Sequence, residues 1–591
     1  MSETLVDAAR TLSGTSKLKM NCVARKENWK SIFHSIPSHD LDAVKVSFGI
    51  VKNRVKQDIF HKFVKEQGEC FDRQLGCYFG MVLGDALGAP IEFLPAQNTS
   101  NSIEIDNITG EVRYPGETYN VFQLERGQWT DDASMGACIA DSLIVHSFCE
   151  QMDADPSAPG ADVWSPCYSG ADIRSRFWNW SRNSYNNAFR YYKSEQSLLA
   201  KWDNSNVLFQ DPKPAEGPFR PSVGLGGNIS TSLKSLNGIE HIEDVPDWYL
   251  SGTDDSGNGG IMRLASISVF FSSEDTSEYT SDTNLGATAV SPGLCQCMKY
   301  ARLSSQTTHP GVLASQAAEF LSFACTRAIS RPADDMLTAS EFIEMIADDF
   351  IELQCTVPPA ASAEGGDGTT IPGIRPNYGD MVRLLRGQEG PESTELCWNW
   401  RHPQLDIEEC NRIRGWSYNG HPNNAGYFGS FCMDGLAVAL NCFKHSESTI
   451  SCLQMCINYR GDCDSTAAVA GQLAGSFYGV CAVPPQLLER SLRWDHAENL
   501  LRAVMLTPRY RRLAKPFLMD CQFSYQHERS ISESSEQEVY KEFTTAYPEY
   551  PPTLPHDAAA GMRQISLNEA GGKPSKGGLS ALMSLLWGSK S

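Results

Sequence analysis

Glycine recurs every fourth residue at Gly76, Gly80, Gly84 and Gly88, and again at Gly471, Gly475 and Gly479. At that spacing each set lines one face of a helix. A glycine inside a helix costs about 1 kcal/mol relative to alanine, so a stripe of them needs a compensating gain. Close approach of a second backbone supplies it, because no side chain stands in the way. The membrane version of this motif fails here, since Asp85 interrupts the first apolar run and no stretch approaches the roughly 18 apolar residues of a span. Two smooth-faced helices packed near the centre of a soluble bundle are expected.

The intervening pattern is also helical. Segments 315–329, 434–442 and 465–480 carry Ala, Leu and Phe at helical spacing, and few runs alternate as strands do. An all-α domain with loop insertions is expected over 71–515. Residues 1–70 read as an N-terminal helical extension, and the composition changes abruptly at Gly76. Loops are expected at 272–283 and 357–376. Residues 516–591 predict a mostly disordered tail, polar and interrupted by YPEYPPTLP and GGKPSKGG. Its apolar patch at 579–587 is too short to span a membrane, and residues 1–19 lack the apolar core of a signal peptide.

The chain of 591 residues is 41% hydrophobic, enough for a large core. Its net charge of −21, from 71 acidic and 50 basic residues, argues against non-specific binding to nucleic acid or an anionic membrane. An anionic substrate would have to be drawn by a bound metal or by helix N-termini. Nineteen cysteines occur without paired CxxC ribbons; Cys295 and Cys297 form a lone CxC, and Cys452 and Cys456 lie one helical turn apart. Reduced thiols in a cytoplasmic, monomeric protein are expected.

Two acidic clusters carry the chemistry. GQWTDDASM offers Thr130, Asp131 and Asp132 just before a helical stretch at 133–145, and RGDCDSTAAVAGQLAG offers Asp462, Asp464 and Ser465 before the second stripe. Either cluster alone is explained by helix capping, for which Asp, Ser and Thr are favoured. Together they supply carboxylates and hydroxyls with no imidazole, a donor set suited to Mg²⁺ or Mn²⁺ rather than zinc. One thiol, Cys463, between two aspartates does not make a zinc site. Spacing alone does not bring the clusters together; convergence would require divalent cations to offset the repulsion.

GMVLGDALGAPIEF, GQWTDDASM, SGNGGIMRLASI, the TTHP segment and GDCDSTAAVAGQLAGSFYG occur in that order. This succession resembles the ADP-ribosylglycohydrolase family, over about 71–515, and 425–443 is similar to the family helix that precedes the second acidic cluster. The resemblance implies an all-helical orthogonal bundle with a binuclear Mg²⁺ or Mn²⁺ centre. It implies hydrolysis of the glycosidic bond between ADP-ribose and an acceptor, either a protein side chain or a small molecule. By position in the motifs, Thr130, Asp131 and Asp132 would bind metal from one side and Asp462, Asp464 and Ser465 from the other. Ser465 stands where many members carry threonine. Glu92 matches a glutamate that gates or assists the reaction, and with Asp132 and Asp464 it is a candidate catalytic carboxylate. Asp85 is expected to cap neighbouring backbone amides. Gly257, Asn258, Gly259, Gly260 and Met262 would line the ADP-ribose pocket, as would His309, although glycine turns and core histidines are common without any ligand.

The chain departs from the family at 224–231, GLGGNIST, where Leu225 stands near an expected acidic residue and puts the base and the acceptor linkage in question. The aromatic and basic run RSRFWNWSRNSYNNAFRYYK preceding it is expected to pack beneath that loop rather than stack nucleic-acid bases. Two other readings compete: a crystallin-like structural relative without activity, and a two-metal phosphohydrolase acting on a nucleotide.

Overall fold

The computed structural model describes residues 50–509, apart from 154–167, 189–221, 274–290, 356–374 and several shorter breaks within that span. Most of the N-terminal extension, nearly all of the two expected loops, and the C-terminal tail with its 579–587 patch therefore lie outside the described residues. Among the described residues, strands amount to three hairpins of two-residue strands: Ile50–Val51 with Arg54–Val55, Glu104–Ile105 with Val112–Arg113, and Ser417–Tyr418 with His421–Pro422. Everything else regular among the described residues is helical, as the periodicity predicts.

The first helices are α1 (Gln57–Gln67), α2 (Glu69–Gly88), α3 (Asp131–Asp153) and α4 (Gly170–Asn183). Then come α5 (Gly227–Lys234), α6 (Ala265–Phe271), α7 (Pro292–Gln306) and α8 (Val312–Ile329). The third group is α9 (Ala339–Phe350), α10 (Gly379–Arg386), α11 (Ile407–Arg414) and α12 (Cys432–Lys444). The chain of helices closes with α13 (Thr449–Asn458), α14 (Cys463–Tyr478), α15 (Pro485–Leu492) and α16 (Glu498–Leu506).

Helices α2 and α14 carry the two glycine stripes and form the central pair. From Phe71 to Gly88 in α2, and from Cys463 to Phe477 in α14, every residue is buried. They run antiparallel, with backbone against backbone. Gly76 faces Gly475 and Gly479, Gly80 faces Gly471, Gly84 faces Ala467 and Gly88 faces Asp464; a Cβ at any of these glycines in α2 would fall under 3 Å from the partner's backbone. The compensation that the stripes require is therefore present at every step. Helices α8, α12 and α13 pack on α14, whereas α1, α3, α6, α15 and α16 pack on α2.

Some of the charged groups buried among the outer helices are paired. Arg502 on α16 reaches Asp141 on α3 at 3.1 Å and Glu498 at 3.0 Å, which locks the last helix to the core. On α4, Phe177, Trp178 and Trp180 are fully buried, and Arg174 donates to the carbonyls of Ser232, Pro246 and Trp248. This part of the aromatic run thus packs beneath the segment that contains α5. No helix among the described residues is long and apolar enough to cross a membrane, and the described cysteines are free thiols.

Candidate functional site

The antiparallel stripe decides which helix ends meet. Gly88, at the C-terminal end of α2, lies against the backbone of Asp464, in the first turn of α14. One turn earlier on α2, the fully buried Asp85 reaches into a third element. It accepts from the Thr130 amide at 2.8 Å, the Thr130 hydroxyl at 2.9 Å and the Ala133 amide at 2.9 Å. Asp85 therefore caps α3 from another helix. With those amides satisfied, the side chains of Asp131 and Asp132 have no capping duty toward them. At α14 the N-cap residue is Asp462, whose side chain makes no cap bond either. Capping thus does not account for Asp132 and Asp462.

What they do is converge. Carboxylate oxygens of Asp85, Asp132 and Asp464 lie within 4.8 Å of one another, and so do those of Glu92, Asp462 and Asp464. Among the described residues no ion pair neutralises any of them. Burial, together with repulsion from neighbouring carboxylates, pushes Glu92, Asp131, Asp132 and Asp462 well above the usual carboxylate range. Burial likewise pushes Asp85 and Asp464 up to about 6. Oε2 of Glu92, Oδ1 of Asp132 and Oδ1 of Asp464 are buried without a donor. Orphaned oxygens around a shared point are what a bound divalent cation would satisfy, and an all-oxygen set fits Mg²⁺ or Mn²⁺. The Thr130 hydroxyl spends its proton on Asp85, which leaves oxygen lone pairs, and the Ser465 hydroxyl lies 3.6 Å from the Met262 sulfur at the edge of the cluster. Cys463 points its thiol at the Gly88 carbonyl, 3.5 Å away.

These shifts carry a stability signature. A carboxyl whose folded pKa is raised binds more protons folded than unfolded, so stability falls as pH rises through the window between the two values. That window opens near the unfolded carboxylate range of about 4 and extends to about 6 for Asp85 and Asp464, and higher for the others. Mg²⁺ is therefore expected to raise the melting temperature of metal-stripped protein more at alkaline pH than at acid pH, in thermal scans with and without the ion. Equal shifts at both would contradict it.

The glycine loop borders the cluster. Asn258 donates through its amide side chain to Asp462 at 3.0 Å and to the Gly429 carbonyl at 3.1 Å, and its backbone N–H reaches the Ser430 carbonyl at 2.8 Å. At Gly257 and Gly259 a Cβ would meet the His309 ring, and at Gly260 the Ser305 side chain. The absence of side chains here lets the TTHP segment nest into the loop. Burial, helped by nearby Arg263, holds His309 down at about 3, and its Nδ1 lies 2.8 Å from the Thr308 hydroxyl. Arg263 anchors the same segment, donating to Thr308 Oγ1 at 2.7 Å and to the Ser304 carbonyl at 3.1 Å. His309 is expected to stay neutral across the pH range of about 5 to 8 where free imidazole titrates; a side-chain NMR titration showing protonation there would contradict this.

In the loop that leads into α5, Gly224 adopts φ +84°, and a Cβ on it would collide with the Asp131 carboxylate. Leu225 is half-buried against the core. The acidic group that meets this loop is thus Asp131 from the first cluster.

Three residues at the site receive no role from the sequence, although Phe93 closes the GMVLGDALGAPIEF motif and Tyr427 lies in the 425–443 stretch. The Tyr427 hydroxyl donates to Glu92 Oε1 at 3.1 Å across 335 residues. Phe93 stacks on Tyr427, with centroids 5.5 Å apart and planes at 14°, and meets Phe122 edge-on at 5.6 Å. Only the tertiary fold brings them together.

A helical bundle whose central pair presents converging acidic loops beside a glycine loop defines a class: the sequence profile of the ADP-ribosylglycohydrolase family matches residues 66–514, and the chain belongs to that family. It is a glycohydrolase that acts on ADP-ribose linkages. The chain is similar to the ADP-ribosylarginine hydrolase Tri1 of Pseudomonas putida (strain GB-1), 21% identical over 433 residues, covering 73% of this chain and 77% of that protein. It is 25% identical over 374 residues to the ADP-ribosylhydrolase ARH3 of Mus musculus, covering 60% of this chain and 83% of the relative. A solved structure described as an ADP-ribosylglycohydrolase-related protein complex is 21% identical, covers 76% of this chain and 99% of its own, and superposes with a TM-score of 0.38.

Proposed function

We propose that the chain releases ADP-ribose from a modified protein side chain or small molecule in a reaction that depends on two divalent cations, Mg²⁺ or Mn²⁺. The observation that carries this is the set of buried carboxylates with orphaned oxygens and, among the described residues, no ion pair, drawn from three segments far apart in sequence: Asp85 and Glu92, Asp132, and Asp462 with Asp464. Thr130, Asp131 and Asp132 would hold the ions from one side, and Asp462, Asp464 and Ser465 from the other. Bound there, the ions supply Lewis acidity, which orients ribose hydroxyls and makes water a better nucleophile.

The chain's own residues do the rest. Cleavage at the anomeric carbon passes through a state with oxocarbenium character, so surrounding carboxylates favour it electrostatically. Glu92 has one carboxylate oxygen anchored and the other without a donor, and it is the group placed to take the proton of the attacking water. The loop of Gly257, Asn258, Gly259, Gly260 and Met262, backed by neutral His309, forms the wall against which the ribose and phosphates would lie. A substrate carrying two phosphates would meet no buried cationic imidazole there, so bound cations or helix N-termini would supply the attraction.

The test uses the full chain stripped of metal and then supplied with Mg²⁺. The substrates are peptides bearing ADP-ribose on arginine or serine, poly(ADP-ribose) and small ADP-ribosyl compounds, with free ADP-ribose as the readout. Mg²⁺-dependent release from at least one linkage is expected. Release that survives metal stripping would sink the cation dependence, and silence across the whole panel would sink the substrate assignment.

A further inference from the structure

The strap that follows Glu92 is fastened on both sides. The Phe93 N–H donates to the Gly461 carbonyl at 3.2 Å, the Gly461 N–H returns to the Leu94 carbonyl at 3.0 Å, and the Gln97 N–H reaches the Tyr459 carbonyl at 3.1 Å. Residues 93–97 are thereby stitched to the segment that leads into Asp462. Within the strap Phe93 sits at φ +72°, a backbone conformation that bulky residues rarely adopt. Such strain persists only where the surroundings over-determine it. Here the surroundings are the Gly461 bond on the backbone side and the stack on Tyr427, with Phe122 edge-on, on the ring side. The residue immediately before this strained position is Glu92.

We infer that Tyr427, backed by the Phe93 ring, is a positioning residue that fixes the Glu92 carboxylate over the acidic cluster. The inference rests on the reading of Glu92 as the proton acceptor. Glu92 faces the carboxylates of Asp462 and Asp464, which repel it. A glutamate has three rotatable bonds, and in its ionised form it would turn away from two like charges. The Tyr427 hydroxyl is the donor that opposes this, and among the described residues it makes no other hydrogen bond. Its hold on Oε1 leaves Oε2 as the free oxygen on the same carboxylate. The stack keeps the phenol in place, and the stitched strap keeps the Glu92 backbone in place.

Tyr427→Phe removes the hydroxyl and keeps the stack. In the full chain with saturating Mg²⁺ and an ADP-ribosylated peptide, kcat is expected to fall roughly 10-fold or more, the scale seen when a partner that orients an active group is lost. KM is expected to stay within about twofold. Melting temperature and Mg²⁺ affinity by calorimetry are expected to match wild type. In a Glu92→Gln background the same substitution is expected to add no further loss, which a merely structural role would not produce. Unchanged kcat in Tyr427→Phe, or an equal loss in both backgrounds, overturns the inference. If the wild-type chain releases no ADP-ribose, the functional reading falls by itself. Crystal structures of wild type and Tyr427→Phe then decide the positioning role: a Glu92 carboxylate displaced from the cluster supports it, and an unmoved one overturns it.

Discussion

Asp464→Asn and Asp132→Asn are each expected to reduce turnover by at least about 100-fold, because even the outer partners of metal ligands cost up to that much when removed, and to do so without lowering thermal stability. Asp464 belongs to both carboxylate groups, and Asp132 faces Asp85 and Asp464 at close range. In metal-free protein each of these charges is buried, repelled by its neighbours and short of donors. An amide of the same shape removes one repelling charge, so the apo variant should melt at the same temperature as wild type or higher. The Mg²⁺-induced rise in melting temperature should shrink in parallel with activity. Kinetics and thermal scans on the same preparations separate this pattern from simple misfolding. Full activity retained in both variants would refute a cation-centred site.

The second large effect lies in the stripe. Gly80→Leu is expected to yield no folded protein, and Gly80→Ala to lose about 3 kcal/mol or more, at or beyond the upper end of ordinary overpacking. A Cβ at Gly80 would overlap the Gly471 carbonyl, and backbone cannot swing aside as a side chain can. Gly379→Ala is the matched control. It lies in the first turn of α10 with nothing within 4 Å of the added carbon, so it should be neutral or stabilising by about 0.4–1 kcal/mol. Urea denaturation of the two alanine variants measures the contrast. Similar midpoints for both would mean that the central helices have room to part.

The glycine stripes were legible in the sequence because close backbone packing leaves a periodic trace that nothing else explains. Helices at 312–329, 432–444 and 463–478 were legible for the same reason, since burial on one or more faces writes a period into the residues. The acidic clusters were visible as composition but not as a site. Their convergence depends on the antiparallel register of α2 and α14, which local spacing does not encode. Asp85 could be read as a cap, but not as the cap of a helix that begins 46 residues later, at Asp131 (131 − 85). The roles of Tyr427, Phe93 and Phe122 were not legible, although two of them lie in stretches that carry the family resemblance, since an aromatic residue in a loop looks alike whether it packs idly or holds a carboxylate. The glycine loop at 257–260 suggests room for a ligand, yet part of that room is filled by His309 and Ser305.

Matched small residues in four-residue steps allow α2 and α14 to seat only in discrete notches. Sliding one helix by a single notch would keep several glycines facing glycines while carrying Asp464 about 6 Å along the axis, the rise of four residues, away from Asp85. The distance between the two acidic loops is therefore not continuously adjustable: a strained or altered core either preserves it or loses it in one jump.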